Sequence, residues 1–389
     1  MKIVITGPAH PYRGGIAAFN DRLAVEFIKE GHDVRIETFT LQYPDFLFPG
    51  KTQYSEDNPP AGVNINRSIN SINPFNWLKT GSILKNEKPD LVISRFWIPF
   101  IGPSLGTINR IINKNNHTKI IGLTDNIIPH EPKPGDRQLT SWFIHSCHGI
   151  VTMSESVLAD LDTFDREKPR RIGPHPIYDH YGDITAREEA IEKLELDPAY
   201  SYLLFFGLIR DYKGLDLLIE ALADESLSGK KIKLLVAGEF YSDELQYRNQ
   251  VRKLNLESRI IFYNHYIPNN KVADFFNVAD MVVQPYKTAT QSGVTQIAYH
   301  FNKPMLVTDV GGLPEIVTHG KAGYVCKPFA NEIASAIADF YANSRQATFE
   351  TAVKKEKERF AWSKFTRLFY DLMQEINDKR DQGSDKPIG

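Results

Sequence analysis

A chain of 389 residues is long enough for two domains, and 42% hydrophobic with 24% charged residues are the proportions of a globular protein. The formal charge of -2, from 46 basic and 48 acidic residues, leaves no global field to gather nucleic acid or anionic lipid, so an anionic ligand has to be held by local donors. The two cysteines, Cys147 and Cys326, argue against a disulfide framework or a structural zinc site and fit a reducing compartment.

The opening MKIVITGPAH has an apolar run too short for a signal peptide, and Lys2–Thr6 reads as a first strand. A glycine-containing loop follows, then a helix in which Phe19, Leu23 and Phe27 recur on one face of a 3.6-residue repeat. Gly31 ends that helix and Asp33–Thr38 starts the next strand. Strands are predicted again at Asp90–Ser94, Lys119–Leu123 and Gly149–Met153, with helices between them, and Ser154 caps the helix that opens ESVLADL. The apolar stretch 91–105 is interrupted by Arg95, Pro99 and Pro103, and nothing reaches the length of a membrane-spanning helix, so a cytoplasmic protein is expected.

From Glu167 to Gly182 the pattern breaks into EKPRRIGPHPIYDHYG, read as the inter-domain connection. The alternation then restarts: a helix near Ala186–Leu194, a strand at Tyr202–Phe206, a helix at Leu215–Leu222 and a strand at Ile232–Ala237. A helix over Asp243–Leu254, strands at Arg259–Tyr263 and Asp280–Val283, a helix from Ser292, a strand at Pro304–Thr308 and terminal helices complete it. Strand–helix alternation with nearly continuous apolar strands predicts parallel sheets covered on both faces, hence an α/β protein of two Rossmann-like domains, 1–175 and 183–360, facing a cleft. Residues 361–379 form a C-terminal helix and 380–389 a frayed tail.

Four segments can carry chemistry. In the first, Gly207-Leu208-Ile209-Arg210-Asp211-Tyr212-Lys213-Gly214 leaves a buried strand and opens an amphipathic helix, so Arg210 and Lys213 stand at the carboxyl edge of a parallel sheet, where such sheets bind ligands. A departing nucleotide diphosphate gains negative charge, which fixed cations stabilise more in the transition state than in the ground state. Second, Gln291-Ser292-Gly293-Val294-Thr295-Gln296 begins a helix with Ser292 as N-cap and Gly293 leaving first-turn amides uncovered, an arrangement that holds phosphate. Third, Gly14-Gly15 lets the backbone pass close to a ligand, although its spacing is neither G-x-G-x-x-G nor a Walker motif. Fourth, Val310-Gly311-Gly312-Leu313-Pro314-Glu315 gives a backbone-lined edge with Glu315 in the first helical turn. Each has an ordinary alternative: a surface lysine, a plain capped helix or a tight turn.

Together the four segments resemble the family-four glycosyltransferases with the GT-B fold. The G-G loop after the first strand matches Gly14-Gly15, and the G-x5-K-G-x3-L-I-x-A segment matches Gly207 through Ala221. The A-x-G-x-P-V-V-A-T-x-x-G-G-x-P-E stretch is similar to His300 through Glu315, and Gly320–Tyr324 to the turn beyond it. Two departures stand out. The family's E-x7-E glutamates fall on Ala289 and Ile297, leaving Gln291, Ser292 and Gln296 as polar substitutes, and its arginine after the glycine is Leu208, with Arg210 two residues on.

The resemblance implies a retaining hexosyltransferase that moves a sugar from a UDP- or GDP-sugar to an acceptor hydroxyl in cell-surface polysaccharide or glycolipid synthesis. Catalysis falls to Arg210, Lys213 and His130, and donor binding to Gly14, Gly15, Gly207, Gln291, Ser292, Gly293, Val294 and Gln296. Asp125 and Glu315 contact the acceptor or sugar. The final helix is similar to the family's closing segment, which crosses back to the first domain. No cofactor and no metal are expected: Asp160-Leu161-Asp162 has the letters of a metal pair, but i and i+2 point apart on a helix. The partners are a nucleotide-sugar and a glycan or lipid-linked acceptor, with no nucleic acid. The aromatic segments 41–48 and 95–101 either fill the core or meet the inner membrane face. The alternatives left open are a non-catalytic sugar-nucleotide binder and another GT-B enzyme such as an epimerase.

Overall fold

The computed structural model describes residues 1–44, 53–55, 58–129, 133–289 and 292–384. The chain divides into two compact units, Met1–Pro174 together with the stretch from Trp362, and His175–Ala361. The division at Pro174 lies inside the segment whose prolines and glycines mark a connection.

In the first unit the strands β1 (Lys2–Thr6), β2 (Asp33–Leu41), β3 (Asn64–Asn70), β4 (Leu91–Phe96), β5 (Lys119–Thr124), β6 (Gly149–Thr152) and β7 (Arg170–Ile172) form one parallel sheet. Their order is β3-β2-β1-β4-β5-β6-β7, so the winding reverses between β1 and β4. The helices are α1 (Gly15–Lys29), α2 (Pro74–Glu87), α3 (Gly102–Asn113), α4 (Asp136–Ile144) and α5 (Glu155–Asp162). Strands β4 and β5 are buried along their whole length because helices cover both faces. The periodic residues Phe19, Leu23 and Phe27 of α1 are all fully buried, each contributing roughly 1.5–3 kcal/mol of transfer free energy.

The second unit repeats the plan. Its elements are α6 (Arg187–Lys193), β8 (Ser201–Phe206), α7 (Leu215–Leu222), β9 (Ile232–Ala237), α8 (Glu244–Lys253), β10 (Ile260–Tyr263), α9 (Asn269–Val278) and β11 (Met281–Gln284). There follow α10 (Gly293–His300), β12 (Met305–Thr308), α11 (Leu313–Ile316), β13 (Gly323–Cys326), α12 (Ala330–Ala342) and α13 (Gln346–Glu356). The parallel order β10-β9-β8-β11-β12-β13 reverses between β8 and β11.

Helix α14 (Trp362–Ser384) returns to the first unit, where Phe365 and Phe369 meet the rings of Phe19 and Phe27. It continues five residues into the expected frayed tail 380–389, because its apolar face (Phe365, Phe369, Leu372, Ile376) has a surface to pack on. Three strands exceed the expectation: β3, β7 and β13. All three are sheet edges, and β7 occupies part of the Glu167–Gly182 stretch expected to be connection.

Candidate active site

In the second unit the reversal between β8 and β11 leaves an opening at the carboxyl ends of those strands, the place where doubly wound sheets take ligands. The chain leaves β8 through Gly207 at φ 100°, and a Cβ there would stand 3.2 Å from Lys213 Nζ and 3.6 Å from Val294 Cγ2. Glycine is therefore what lets an ammonium, a strand exit and the first turn of α10 converge. Gly214, at φ 71°, is pressed as hard: a Cβ would lie 2.0 Å from the Pro285 carbonyl oxygen, so the loops after β8 and β11 touch through backbone.

Lys213 is only 8% exposed, and its ammonium has no hydrogen-bond or ion-pair partner among the described residues. Its Nζ lies 5.6 Å from the ring centroid of Tyr286. Burial pushes its pKa down, Tyr212 opposes that in part, and the positive charge of Arg210 adds to the lowering. Arg210 itself is exposed, its guanidinium 5.2 Å from the Tyr241 ring. One cation is thus sunk into the opening and the other stands at its rim.

Helix α10 begins beside them. Ser292 is its N-cap by backbone position, but its hydroxyl makes no cap bond; it donates instead to Gln284 Oε1 at 2.5 Å and lies 3.2 Å from Tyr286 Oη. That corrects the expected capping role: the hydroxyl is spent on a buried amide and does not accept from the first-turn amides. Gly293 is fixed by a neighbour, since a Cβ there would lie 3.0 Å from Tyr178 Cε2. Gln296 is fully buried, and among the described residues neither its amide atoms nor Gln284 Nε2 has a partner. Glu315 is exposed in the first turn of α11, following Gly311 at φ 53°. Gln291 lies outside the described residues.

The first unit holds the remaining candidates. Gly14, the N-cap of α1 at φ 113°, has nothing within 4 Å of where its Cβ would be, so the backbone there is open, and Gly15 starts the helix. Asp125 is not a free carboxylate. It accepts from Arg95 Nε at 2.7 Å and from Arg95 Nη2, and Arg95 is 1% exposed with its guanidinium carbon 4.2 Å from the Phe19 ring. The acid there neutralises a buried arginine, whose Nη1 has no partner among the described residues. His130 lies outside the described residues. In the aromatic segment 95–101, Phe96 and Ile101 are fully buried, which supports the core-filling reading; residues 45–48 of the other segment are outside the description.

Asp162 accepts from Arg170 Nη1, and no group of His, Cys, Asp and Glu among the described residues could hold a metal. Tyr178, Gln284, Tyr286 and Gly238 complete the surroundings and were missed. Gly238, at φ 152°, would place a Cβ 2.0 Å from the Gly207 carbonyl oxygen. A glycine directly after the strand Ile232–Ala237 was the signal available for that last contact; nothing local marks the other three.

Two doubly wound parallel sheets in successive units give this chain the α/β architecture of the GT-B fold. Residues 186–359, most of the second unit, match the family model described as glycosyl transferases group 1. An uncharacterized glycosyltransferase of Methanocaldococcus jannaschii is 25% identical over 97% of this chain and 99% of its own length. Among solved structures, a glycosyltransferase from Rickettsia africae aligns with a TM-score of 0.73 at 17% identity, covering 96% of this chain and 98% of that one. The Anabaena protein HepE in complex with UDP aligns at 0.70 and 15% identity, over 98% of this chain and 100% of its own. Among the described residues no helix is long and apolar enough to cross a membrane.

Proposed function

We propose that the chain is a metal-independent, retaining hexosyltransferase that passes a sugar from a UDP- or GDP-sugar to the hydroxyl of a glycan or lipid-linked acceptor in cell-surface polysaccharide or glycolipid synthesis. The observation that carries this is Lys213, a buried ammonium with no acid to meet it among the described residues, beside the start of α10. A buried charge is costly unless something pairs with it, and the diphosphate of a donor is a matching anion. Arg210 at the rim adds a second cation as the sugar–phosphate bond breaks, so the pair favours the transition state over the ground state. Gly207 and Gly14 keep backbone open to the donor, and the α10 amides take a phosphate oxygen. His130, Gln291 and Gln296 keep their assigned roles as further parts of this reading. The departing phosphate oxygen takes the acceptor proton, so no protein nucleophile is needed. The bound UDP of HepE supports the nucleotide side of the assignment.

The test is a thermal-shift panel of UDP, GDP and their sugars followed by donor turnover, since a ligand that binds only the folded state raises its melting temperature. One nucleotide series should stabilise the chain, and Lys213→Ala should abolish both the shift and turnover. Stabilisation without transfer or donor hydrolysis would favour the non-catalytic binder, and activity lost to EDTA and restored by manganese would refute the metal-free mechanism.

Contact with the inner membrane face is a second part of the reading, and α2 supports it more than the aromatic segments do. Phe75 is 83% exposed, with Ile72, Leu78 and Ile83 also exposed around it, and residues 58–86 contain Arg67, Lys79 and Lys85 but no acid. An apolar ridge flanked by cations suits an anionic lipid interface. Phosphatidylglycerol vesicles should sediment the chain and fail to sediment Phe75→Asp; equal sedimentation of both would end this part of the proposal.

A further inference from the structure

Helices α3 and α4 pack closely at Gly106, where a Cβ would stand 2.7 Å from Trp142 Cδ1. Beside that contact is an open surface cavity of about 520 Å³, lined by Arg110, Arg137, Gln138, Ser141, Trp142, His145 and Phe164, with Arg137, Gln138, Trp142 and His145 exposed. Neither the transfer chemistry nor the donor reading uses it.

Its two arginines are held in place. The Arg110 guanidinium lies 3.7 Å from the Trp142 ring centroid and donates through Nη1 to the carbonyls of Gly106 at 2.9 Å and Trp142 at 2.7 Å. The Arg137 guanidinium lies 4.7 Å from the Phe164 ring and donates through Nη2 to the Thr163 carbonyl at 2.8 Å. Stacking and carbonyl bonds fix the planes of both forks while leaving other N–H groups unused. No carboxylate pairs with either among the described residues; the three described acids nearest in sequence have other partners, and Asp165 acts on His145 rather than on an arginine. Asp162 meets Arg170, Asp165 takes two backbone amides and Lys168 Nζ at 3.6 Å, and Asp136 takes the Lys133 amide at 2.8 Å. His145 is turned onto the Ser141 carbonyl at 2.9 Å.

Two pre-set guanidinium forks without an acid, in an aromatic-walled hollow, match an anion with several acceptor oxygens and an attached ring or chain. We infer that this cavity is a second ligand site of the protein, taking a phosphate monoester whose oxygens are shared by Arg110 and Arg137. Gln138 and Ser141 supply neutral partners, and the exposed part of Trp142 supports whatever the phosphate carries. The same chemistry is presented by a soluble phosphorylated metabolite and by a lipid phosphate headgroup.

The test uses the full chain carrying Lys213→Ala, so that phosphate binding at the nucleotide site does not contribute. Titration with phenyl phosphate, followed by calorimetry, is expected to give saturable 1:1 binding that Arg137→Gln and Arg110→Gln each weaken at least about tenfold, as loss of a charge-assisted contact does. Trp142→Phe should keep the heat but lose the accompanying change in tryptophan fluorescence. Melting curves without ligand establish that each variant is folded, and either arginine variant suffices if the other is not. Vesicles of phosphatidic acid, compared with phosphatidylglycerol at equal charge in a Phe75→Asp background, separate the sources: extra capture that Arg137→Gln abolishes assigns a lipid headgroup, and soluble binding alone assigns a metabolite. Absence of saturable binding, or equal binding by parent and both arginine variants, overturns the inference whatever the fate of the nucleotide site.

Discussion

The two sheets reverse their winding in the same way, yet the charges at the two reversals are handled in opposite fashion. In the first unit the buried arginine of β4, Arg95, is met by Asp125 through two bonds. In the second the buried cation, Lys213, has a tyrosine ring beside it but no acid among the described residues. Arg95 and Asp125 are spent on each other and serve architecture; a lone buried ammonium costs stability and is worth keeping only for a visitor that brings the opposite charge. The candidates that survive on physical grounds are those whose hydrogen-bonding or charge capacity the fold leaves unspent.

Breaking the satisfied pair should have the largest thermodynamic effect. Asp125→Ala leaves Arg95 buried and unpaired, and is expected to cost about 3–4 kcal/mol in chemical denaturation while leaving nucleotide affinity unchanged. The opposite signature is expected of Lys213→Met: unfolding free energy equal or higher by about 1–2 kcal/mol, with turnover down by about 10²–10³. A variant that lost both stability and turnover would make Lys213 a structural residue like Arg95 and dissolve the contrast.

A third variant sharpens the first unit. Burial holds the Asp21 carboxyl up to about 7, against a backbone amide bond from His10. The folded chain keeps a proton that the unfolded chain releases near pH 4, so this contribution is full below about 4 and is lost as pH rises through about 7. Asp21→Asn should flatten the stability profile between those values and gain about 1–2 kcal/mol at pH 8 after discounting for partial exposure. A profile unchanged from the parent would place Asp21 in water. The smallest effect is expected of Ser292→Ala, which leaves Gln284 Oε1 without its donor and costs about 1 kcal/mol. Because that hydroxyl does not cap α10, UDP affinity should hold; a tenfold loss would return Ser292 to the ligand.

These contrasts also mark where the sequence stopped being readable. The apolar strands and the amphipathic α1 and α7 were legible because their periodicity is local, and the Gly207–Lys213 segment because glycine and cation lie within one turn of each other. Edge strands β3 and β7 were not: NINRSIN and RRI are polar because only one side of an edge strand meets a neighbour. Asp125 looked free in sequence because its partner is thirty residues earlier. The inward turn of Ser292 depends on Gln284 at the end of another strand, and the need for glycine at 293 on Tyr178 from a segment that reads as a linker.

The return of α14 has a consequence for biosynthesis. The amino-terminal sheet is made early, yet Phe19 and Phe27 wait for Phe365 and Phe369, which leave the ribosome only after the whole of the second unit. A nascent chain therefore carries an uncovered aromatic seam while the second unit is made, and a sheet translated before that unit is sealed only after it.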